Sequence, residues 1–390
     1  MAIERRVLGR TGIEVSPIAL GCEGFEDKTD QSEADRLMAA ALDAGVNMLD
    51  VYTANPRARS LMGHALAGRP RDSYVIEGHL CSYWDHGQYR RTRRPEEVRE
   101  AFDDLLARLG TDHVDVGMIH YVDERADFDA VFEGPVIDYA LELRRQGRIH
   151  HIGMSTHNPE VGLAAVETGL VDVILFSVNP GYDMMPPSED VNILFEHETF
   201  EGRTWQVQPE RQAFYQACER AGVAITVMKC FAGGMLLRES ASPLGVALTP
   251  AQAIAYALDR PAVAAVMLGA HTPEEVAVDA SYADASAAER DYSQALAHAA
   301  AGTMEGHCVY CGHCAPCPRG ISVANVGKYL DLAKAQLEAH EEVPETVREH
   351  YLALSHHAGE CVGCGACEGR CPFGVGVIGR MREATAIFGE

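Results

Sequence analysis

The residues best equipped for chemistry lie toward the C-terminus, in two cysteine runs. The first reads Cys308-Val-Tyr-Cys311-Gly-His-Cys314-Ala-Pro-Cys317-Pro318. The second reads Cys361-Val-Gly-Cys364-Gly-Ala-Cys367-Glu-Gly-Arg-Cys371-Pro372. The second run has the C-x2-C-x2-C-x3-C-P spacing of bacterial iron–sulfur proteins, and the first is one residue shorter before its fourth cysteine. Three thiolates at three-residue intervals wrap one corner of an iron–sulfur cube, and the fourth, carried on by a proline turn, reaches the other cube. The spacing therefore predicts two [4Fe–4S] clusters. Cys308, Cys311, Cys314 and Cys371 would hold one, and Cys361, Cys364, Cys367 and Cys317 the other. A pair of zinc sites is the competing reading, but zinc knuckles pair two C-x2-4-C segments across a longer gap. The rest of the chain thus works beside a one-electron wire.

Composition narrows the partners. The chain has 390 residues, 47% of them apolar, which suits a large domain with a smaller one attached. Its 33 basic and 57 acidic side chains leave a net charge of −24. Such a surface repels phosphate backbones, so nucleic acid is not an expected partner. The start, Met-Ala-Ile-Glu-Arg-Arg, has no apolar leader, and the longest apolar run, Pro261–Ala270, is too short to span a bilayer. Twelve cysteines without an export signal fit a reducing compartment. A cytoplasmic protein is expected, in a cell that shields its clusters from oxygen, with no membrane partner.

The elements that must position this chemistry alternate. Residues 5–16 read as a hairpin, and Pro17–Gly21 as a short strand. Helical periodicity follows from a Ser32 cap to Ala44, then a strand at Val46–Asp50 and a helix at Arg57–Leu66. The alternation runs on through strands Tyr74–His79, Val114–His120, His150–Ser155, Val171–Phe176, Val223–Met228 and Val263–Leu268, with helices between. Eight strand–helix units predict an α/β protein, a (β/α)8 TIM barrel over 1–285. A long polar interruption, Gly181–Pro209, follows the sixth strand as a lid over the mouth or a surface excursion. Ala285–Ala301 reads as a helix leading out, and 286–390 as a small helical ferredoxin-like domain around the cysteines.

Several segments resemble the aldo-keto reductase family, and the likeness extends over roughly residues 1–285. Leu8-Gly-Arg-Thr-Gly-Ile-Glu-Val-Ser16 is similar to its opening hairpin. Gly45-Val-Asn-Met-Leu-Asp50, Met118-Ile-His120 and Gly153-Met-Ser155 are similar to its strand ends. Val227-Met-Lys-Cys-Phe-Ala-Gly-Gly234 is similar to a Met-Lys-Pro segment of its iron–sulfur-bearing branch, in which a cysteine domain is also attached. The family's catalytic set is Asp, Tyr, Lys and His. The resemblance assigns Asp50 and His120 to two of these positions, His79 to the lysine position and Asn55 to the tyrosine position. Two of four residues are thus replaced, including the usual proton donor. The nucleotide pocket maps to Ser155, Asn179, Lys229 and Gly269, with Thr156 and Leu175 where the family uses amides. The loop Gly269–Asp279 has no Arg or Lys for a 2′-phosphate and carries Glu274, Glu275 and Asp279 instead. NADP(H) is therefore disfavoured, while NAD(H) or no nucleotide stays open. No flavin fingerprint is legible, and flavin stays open too.

Strand alternation gives an independent view of the mouth. Asp50 and Tyr52, Glu77 and His79, and Met118 and His120 are same-side pairs at the C-terminal ends of three strands. Histidine titrates near neutrality, so it can give and take a proton itself. The expected arrangement is an Asp50–His79 acid–base dyad, with His120 on the substrate oxygen and Tyr52 as a second donor. Alternatively these histidines only hydrogen-bond in a polar core. A third arrangement has Asp50, Glu77, His79 and His120 holding a divalent metal in a lyase or isomerase. Cys22, Cys81 and Cys230 read as small buried hydrophobes. His150, His151 and His157 read as solvated or core residues. Trp84 and Tyr89, in the loop after His79, would stack on a ring or cover the mouth.

The leading functional expectation is an iron–sulfur oxidoreductase. A small carbonyl, hydroxyl or conjugated compound would bind in the mouth, with electrons passing through the clusters from a ferredoxin-like or other one-electron donor. An NAD(H)-dependent aldo-keto reductase, a metal-dependent lyase and a redox-sensing protein with an inactive barrel are the alternatives.

Overall fold

A computed structural model of the chain describes residues 3–194, 206–299, 306, 308, 310–339 and 342–389. Twelve strands appear in it: β1 (Arg6–Val7), β2 (Glu14–Val15), β3 (Ile18–Gly21), β4 (Met48–Val51), β5 (Val75–Leu80), β6 (Ser82–Asp85), β7 (Gln88–Arg91), β8 (Val114–Ile119), β9 (Ile149–Thr156), β10 (Val173–Ser177), β11 (Ala224–Met228) and β12 (Val263–Leu268). Eight of them, β3, β4, β5, β8, β9, β10, β11 and β12, pair in parallel and close into a barrel. Because strand side chains alternate, one set fills the interior, including Met48, Val75, Val116, Met118, Val173 and Met267. Leu8 and Val15 of the β1–β2 hairpin join that inner set and plug the end where the strands begin. The other set packs outward under the helices, which form the second layer.

The helices begin where local chemistry lets them. Asp30, not Ser32, caps the first helix: its carboxylate accepts from the Glu33 N–H at 3.0 Å, and the Ser32 hydroxyl donates to it at 2.8 Å. Carboxylate oxygen is the better acceptor for an orphan N–H at a helix start. Seven later helices place proline in their first turn, where its missing N–H costs nothing.

The connection after β5 holds the main departure from the expected alternation. Instead of a plain loop, β6 and β7 form an antiparallel hairpin standing at the mouth. Its two turn residues, His86 and Gly87, have φ of 48° and 85°, the left-handed geometry that two-residue hairpins need. The interruption after β10 turns inward at first. Tyr182, Asp183 and Met184 are buried, and the Asp183 carboxylate accepts from Tyr215 Oη at 2.5 Å and Tyr256 Oη at 2.6 Å. Val191 reaches the mouth. The lid expectation rests otherwise on 195–205, which lie outside the described residues.

Beyond the barrel, the helix expected at Ala285–Ala301 is broken into Ala287–Arg290 and Ser293–Ala299, with 300–305 outside the described residues. Helices Val323–Ala339, Glu345–Leu352 and Val377–Phe388 build the C-terminal part. It packs on the outside of the helix layer. Tyr292 Oη donates to Asp259 Oδ2 at 2.9 Å, and Arg260 Nη2 donates to the same hydroxyl at 3.2 Å. Thr346 Oγ1 donates to the Arg220 carbonyl at 3.2 Å, and His350 Nδ1 lies 3.0 Å from Glu219 Oε1. These contacts fall at the C-terminal ends of helices Pro209–Ala221 and Pro250–Leu258, which lead into the first residues of β11 and β12. They are therefore remote from the mouth. Among the described residues no helix is long and apolar enough to cross a membrane.

Candidate active site at the barrel mouth

The strands' C-terminal ends open into a cavity of about 440 Å³. Asp50, His79, His120, Tyr52, Ser155 and Lys229 line it, as do Glu23, Tyr89, Tyr121 and His157. Parallel pairing sets Asp50 of β4 beside Glu77 of β5, and His79 of β5 beside Met118 of β8, so these side chains enter the barrel at neighbouring heights.

A file of short contacts crosses this mouth. His79 Nε2 lies 2.9 Å from Asp50 Oδ1, within ion-pair range but off the line of an aligned hydrogen bond. Nδ1 of His79 lies 2.7 Å from Nδ1 of His120. Nε2 of His120 then lies 2.7 Å from the Tyr89 hydroxyl. Both nitrogens of His120 are thus engaged by protein. The role expected of His120, holding the substrate oxygen directly, is not what this geometry provides, and the hydroxyl at the end of the file is Tyr89. Burial, and next the neighbouring His79, drive the His120 imidazolium well below the ordinary range, so His120 is neutral. Burial pushes the Tyr89 phenol up to about 12, so it keeps its proton at neutral pH. Tyr89 is still 43% exposed and faces the space a ligand would enter. Tyr52 stacks on the His120 ring, with centroids 6.4 Å apart and planes 14° from parallel. Burial, then the charges of Glu23, Glu26 and Asp50, raise its phenol further.

Other expected site residues take other places. The Asn55 carboxamide caps helix Pro56–Leu66, accepting from the Arg57 N–H at 3.0 Å and the Ala58 N–H at 3.4 Å, and does not line the cavity. Glu77 lies fully buried below the mouth, where its Oε1 accepts from Thr226 Oγ1 at 3.0 Å. Burial, then the Asp50 charge, push its carboxyl well up, which favours the neutral acid. Ser155 lines the cavity, but its Oγ accepts the Tyr121 N–H at 2.8 Å. Asn179 is a strut under the mouth: it donates to the Lys229 carbonyl at 2.8 Å and accepts from the Tyr182 N–H at 2.8 Å. Gly269 is covered by Glu23, whose carboxylate a Cβ there would meet. Cys22, Cys81 and Cys230 are buried outside the cavity lining.

Three mouth residues are additions to the expected set. Glu23 sits just after β3, and burial raises its carboxyl, with the Asp50 charge adding to the rise. His157 is at the mouth rather than in solvent or the core, with Nδ1 2.8 Å from Asp123 Oδ2 and Nε2 2.6 Å from Lys229 Nζ. Asp123 itself is buried behind it. The sequence signal for these three was their position one to four residues past a strand's C-terminal end, where barrel sites gather.

The cysteines form two quartets. Cys308, Cys311, Cys314 and Cys371 surround one cavity, and Cys317, Cys361, Cys364 and Cys367 another. Among the described residues, three metal-ligand atoms come within 4.8 Å of one another only at His113, Asp115 and His150. No three of the sulfurs converge that far. A single zinc ion with Zn–S bonds near ~2.3 Å requires such convergence, whereas an iron–sulfur cube holds its thiolates further apart. The donor set therefore fits a cluster better than a lone ion. Asp50, Glu77, His79 and His120 also fail to converge, which weighs against the divalent-metal arrangement.

Fold and mouth together define a barrel oxidoreductase with an iron–sulfur domain appended. The chain belongs to the aldo/keto reductase family, whose profile matches residues 17–247, and a 4Fe-4S dicluster domain profile matches 305–375. Among curated relatives, an uncharacterized oxidoreductase YqkF of Bacillus subtilis is 24% identical over 307 residues, covering 75% of this chain and 95% of the relative. A 6-dehydroglucose reductase of Novosphingobium aromaticivorans is 33% identical over 163 residues, 38% of this chain and 50% of the relative. Another Bacillus subtilis oxidoreductase, YrpG, is 30% identical over 166 residues, so the chain spans about half the length of two of these three. The fold is shared with the aldo-keto reductase AKR11C1 of Bacillus halodurans in its holo form, at a TM-score of 0.58 and 22% identity over 76% of this chain and 96% of that one.

The capping geometry separates a structural Asn55 from a catalytic one. Asn55→Ala should cost about 1 kcal/mol of stability, read as a lowered urea midpoint. Turnover per folded molecule should stay within twofold of the parent, and a large loss of rate at unchanged fold would return Asn55 to the site.

Proposed function

We propose that this protein interconverts a small carbonyl compound and its alcohol, or reduces a related conjugated group, using Tyr89 as the proton donor. The observation that carries this reading is the file Asp50–His79–His120–Tyr89, with each step at 2.7–2.9 Å. In the family's catalytic set an aspartate, a lysine and a histidine support one tyrosine. Here His79 takes the lysine's place, and the phenol missing at Asn55 is supplied by the β6–β7 hairpin.

The proton movements balance along the file. The Asp50 carboxylate offsets the charge of a protonated His79, whose Nδ1–H donates to Nδ1 of neutral His120. His120 in turn donates its Nε2–H to the Tyr89 oxygen, and Tyr89 points its own proton at the substrate oxygen. As charge builds on that oxygen, the Tyr89 proton leaves, the His120 Nε2 proton replaces it, and the His79 Nδ1 proton moves to His120. The result is a neutral His79 beside Asp50 and an intact Tyr89. Running the file backward takes the hydroxyl proton from an alcohol, while the hydride or two electrons of the redox change would be exchanged with a bound nucleotide or with the clusters. General acid–base groups of this kind contribute on the order of 10²–10⁴-fold in rate. The other residues line, orient and exclude water: Tyr52 covers one face of His120, and Glu23 and Lys229 bring one charge of each sign.

Two [4Fe–4S] clusters on the quartets Cys308, Cys311, Cys314, Cys371 and Cys361, Cys364, Cys367, Cys317 would supply one-electron transfer, which suits a ferredoxin-like partner. No residue of the C-terminal domain lines the mouth cavity among those described, so proton supply and electron entry are separate parts of the chain. For a nucleotide, NAD(H) suits the mouth better than NADP(H). Glu274 and Glu275 stand at the start of helix Pro273–Ala280, and the Glu275 carboxylate already accepts the His271 N–H at 2.7 Å. A 2′-phosphate would compete with that carboxylate for the same end.

Two experiments test this reading. With reduction of a panel of small aldehydes and ketones as the assay, Tyr89→Phe and His120→Gln should each lower turnover ~10²–10⁴-fold while cluster content is unchanged. Full turnover by Tyr89→Phe would remove the phenol from the mechanism. Separately, Cys317→Ala should disturb the electron paramagnetic resonance signal of the cluster at Cys361, Cys364 and Cys367 and spare the other. The reverse pattern would refute the crossed pairing.

A further inference from the structure

Lysine is scarce in this chain: only four of its 33 basic side chains are lysines, Lys28, Lys229, Lys328 and Lys334. Arginine and histidine make most of the ion pairs to carboxylates. Arginine cannot be deprotonated in a protein, but a buried lysine can, and its neutral amine is a nucleophile. One of the four lysines lines the mouth. Lys229 follows β11 in the left-handed region, with φ of 58°, and its carbonyl is held by Asn179 Nδ2 at 2.8 Å. A non-glycine residue in that region is strained, and such strain gathers at functional sites.

Behind this lysine stands an oriented base. Lys229 Nζ lies 2.6 Å from His157 Nε2. His157 Nδ1 lies 2.8 Å from Asp123 Oδ2, and the other carboxylate oxygen accepts from the His157 N–H at 2.6 Å and Thr156 Oγ1 at 2.9 Å. Burial opposes ionisation of Asp123, yet the bonds from His157 and Thr156 hold its carboxyl below the ordinary range. Burial keeps His157 on the neutral side. With Nδ1–H given to Asp123, the lone pair of Nε2 is directed at the lysine. Burial lowers Lys229 to about 8, against the pull of Asp123 and Glu23.

We propose that Lys229 forms a reversible imine with a carbonyl compound in the mouth, with His157 as the base for its ε-ammonium and Asp123 as the positioning residue for His157. This activity rests on the reading of the mouth as a carbonyl site and adds a covalent step to it. His157 Nε2 removes one proton from the ammonium. The amine nitrogen attacks the carbonyl carbon, and the π pair of the C=O bond moves to oxygen, which takes the proton His157 removed. The resulting carbinolamine loses its hydroxyl as water, carrying off a second nitrogen proton, and the C=N bond closes. Ammonium and carbonyl have become iminium and water, with no oxidant or reductant consumed. A conjugated iminium is more electrophilic at its β-carbon than the parent unsaturated carbonyl, so holding such a substrate this way would ease reduction at that carbon, after which water hydrolyses the C=N bond and frees the lysine.

The test uses the full, cluster-loaded protein with glyceraldehyde as probe and cyanoborohydride, which reduces iminium ions in preference to aldehydes. Peptide mass mapping then reads which lysine carries the secondary amine. Near pH 7.4, an amine held at about 8 is neutral on the order of 100-fold more often than a lysine at its ordinary value. Lys229 should therefore be labelled up to about 100-fold faster than Lys28, its neutral fraction less compromised by lower basicity. Its labelling should fall as pH drops below about 8, because His157, Asp123 and Glu23 then face a protonated amine. Lys229→Arg should lose the label, and His157→Gln should slow it while Lys28 labels as before. Equal labelling of Lys229 and Lys28, or an unlabelled Lys229 in the parent protein, would overturn the proposal. Either result leaves the Tyr89 file standing if Tyr89→Phe still loses turnover, whereas a labelled Lys229 with Tyr89→Phe fully active would fault the proton route and leave the imine.

Discussion

Two imidazoles facing each other at 2.7 Å cannot both carry a charge, and the mouth is arranged around that limit. One ring must be neutral, and burial selects His120. The other stands against a carboxylate, which compensates a proton when one is present. A neutral imidazole with a donor on one side and an acceptor on the other can pass a proton without holding it, and in the proposed route the Tyr89 phenol is the outlet. Asp50 and His79 come from barrel strands, and His120 follows the end of another, so their spacing is set by backbone pairing rather than by loop conformation. Only the outlet rides on an added element. A hairpin can be altered without disturbing the barrel, which suits a family whose chemistry varies at the loops.

Much of the barrel was legible because period-2 and period-3.6 patterns alternate cleanly along it, and burial on both sides leaves each strand one register. The same alternation put Asp50, His79 and His120 on the inner side. What it could not see were side chains brought in by other routes. Tyr89 belongs to a hairpin whose turn, His86-Gly87, was a weak signal among polar residues. Asn55 occupied a family position by count, but an Asn directly before Pro56 is a helix cap on physical grounds, and that role claimed it. His157 looked like an ordinary polar residue because its meaning lies in Asp123 and Lys229, which are 34 and 72 residues away. Glu23 carried only its place past β3 as a signal, since only closure of the barrel brings β3 beside β12 and Gly269.

The grouping of the cysteines into two sets was legible from spacing, because three of each four are local in sequence. How that domain docks was not. Its contacts run through Tyr292, Asp259 and Arg260 on one side and Glu219 and His350 on the other, all at helix ends remote from the mouth. With its thiolates outside the helix layer and its titratable groups inside the barrel, the chain would keep electrons and protons apart in the proposed function. The buried tyrosines and arginines at the junction make the docking specific.

The central claim is that His79 and Tyr89 act as parts of one proton route, and a double-mutant cycle on carbonyl-reduction turnover tests it most directly. Groups in one route are strongly non-additive, because breaking either member already interrupts the whole. The account predicts that His79→Gln combined with Tyr89→Phe is no slower than the more damaging single variant. Losses that multiply across the two sites would contradict it, since they would mean that the histidine and the tyrosine serve the reaction independently.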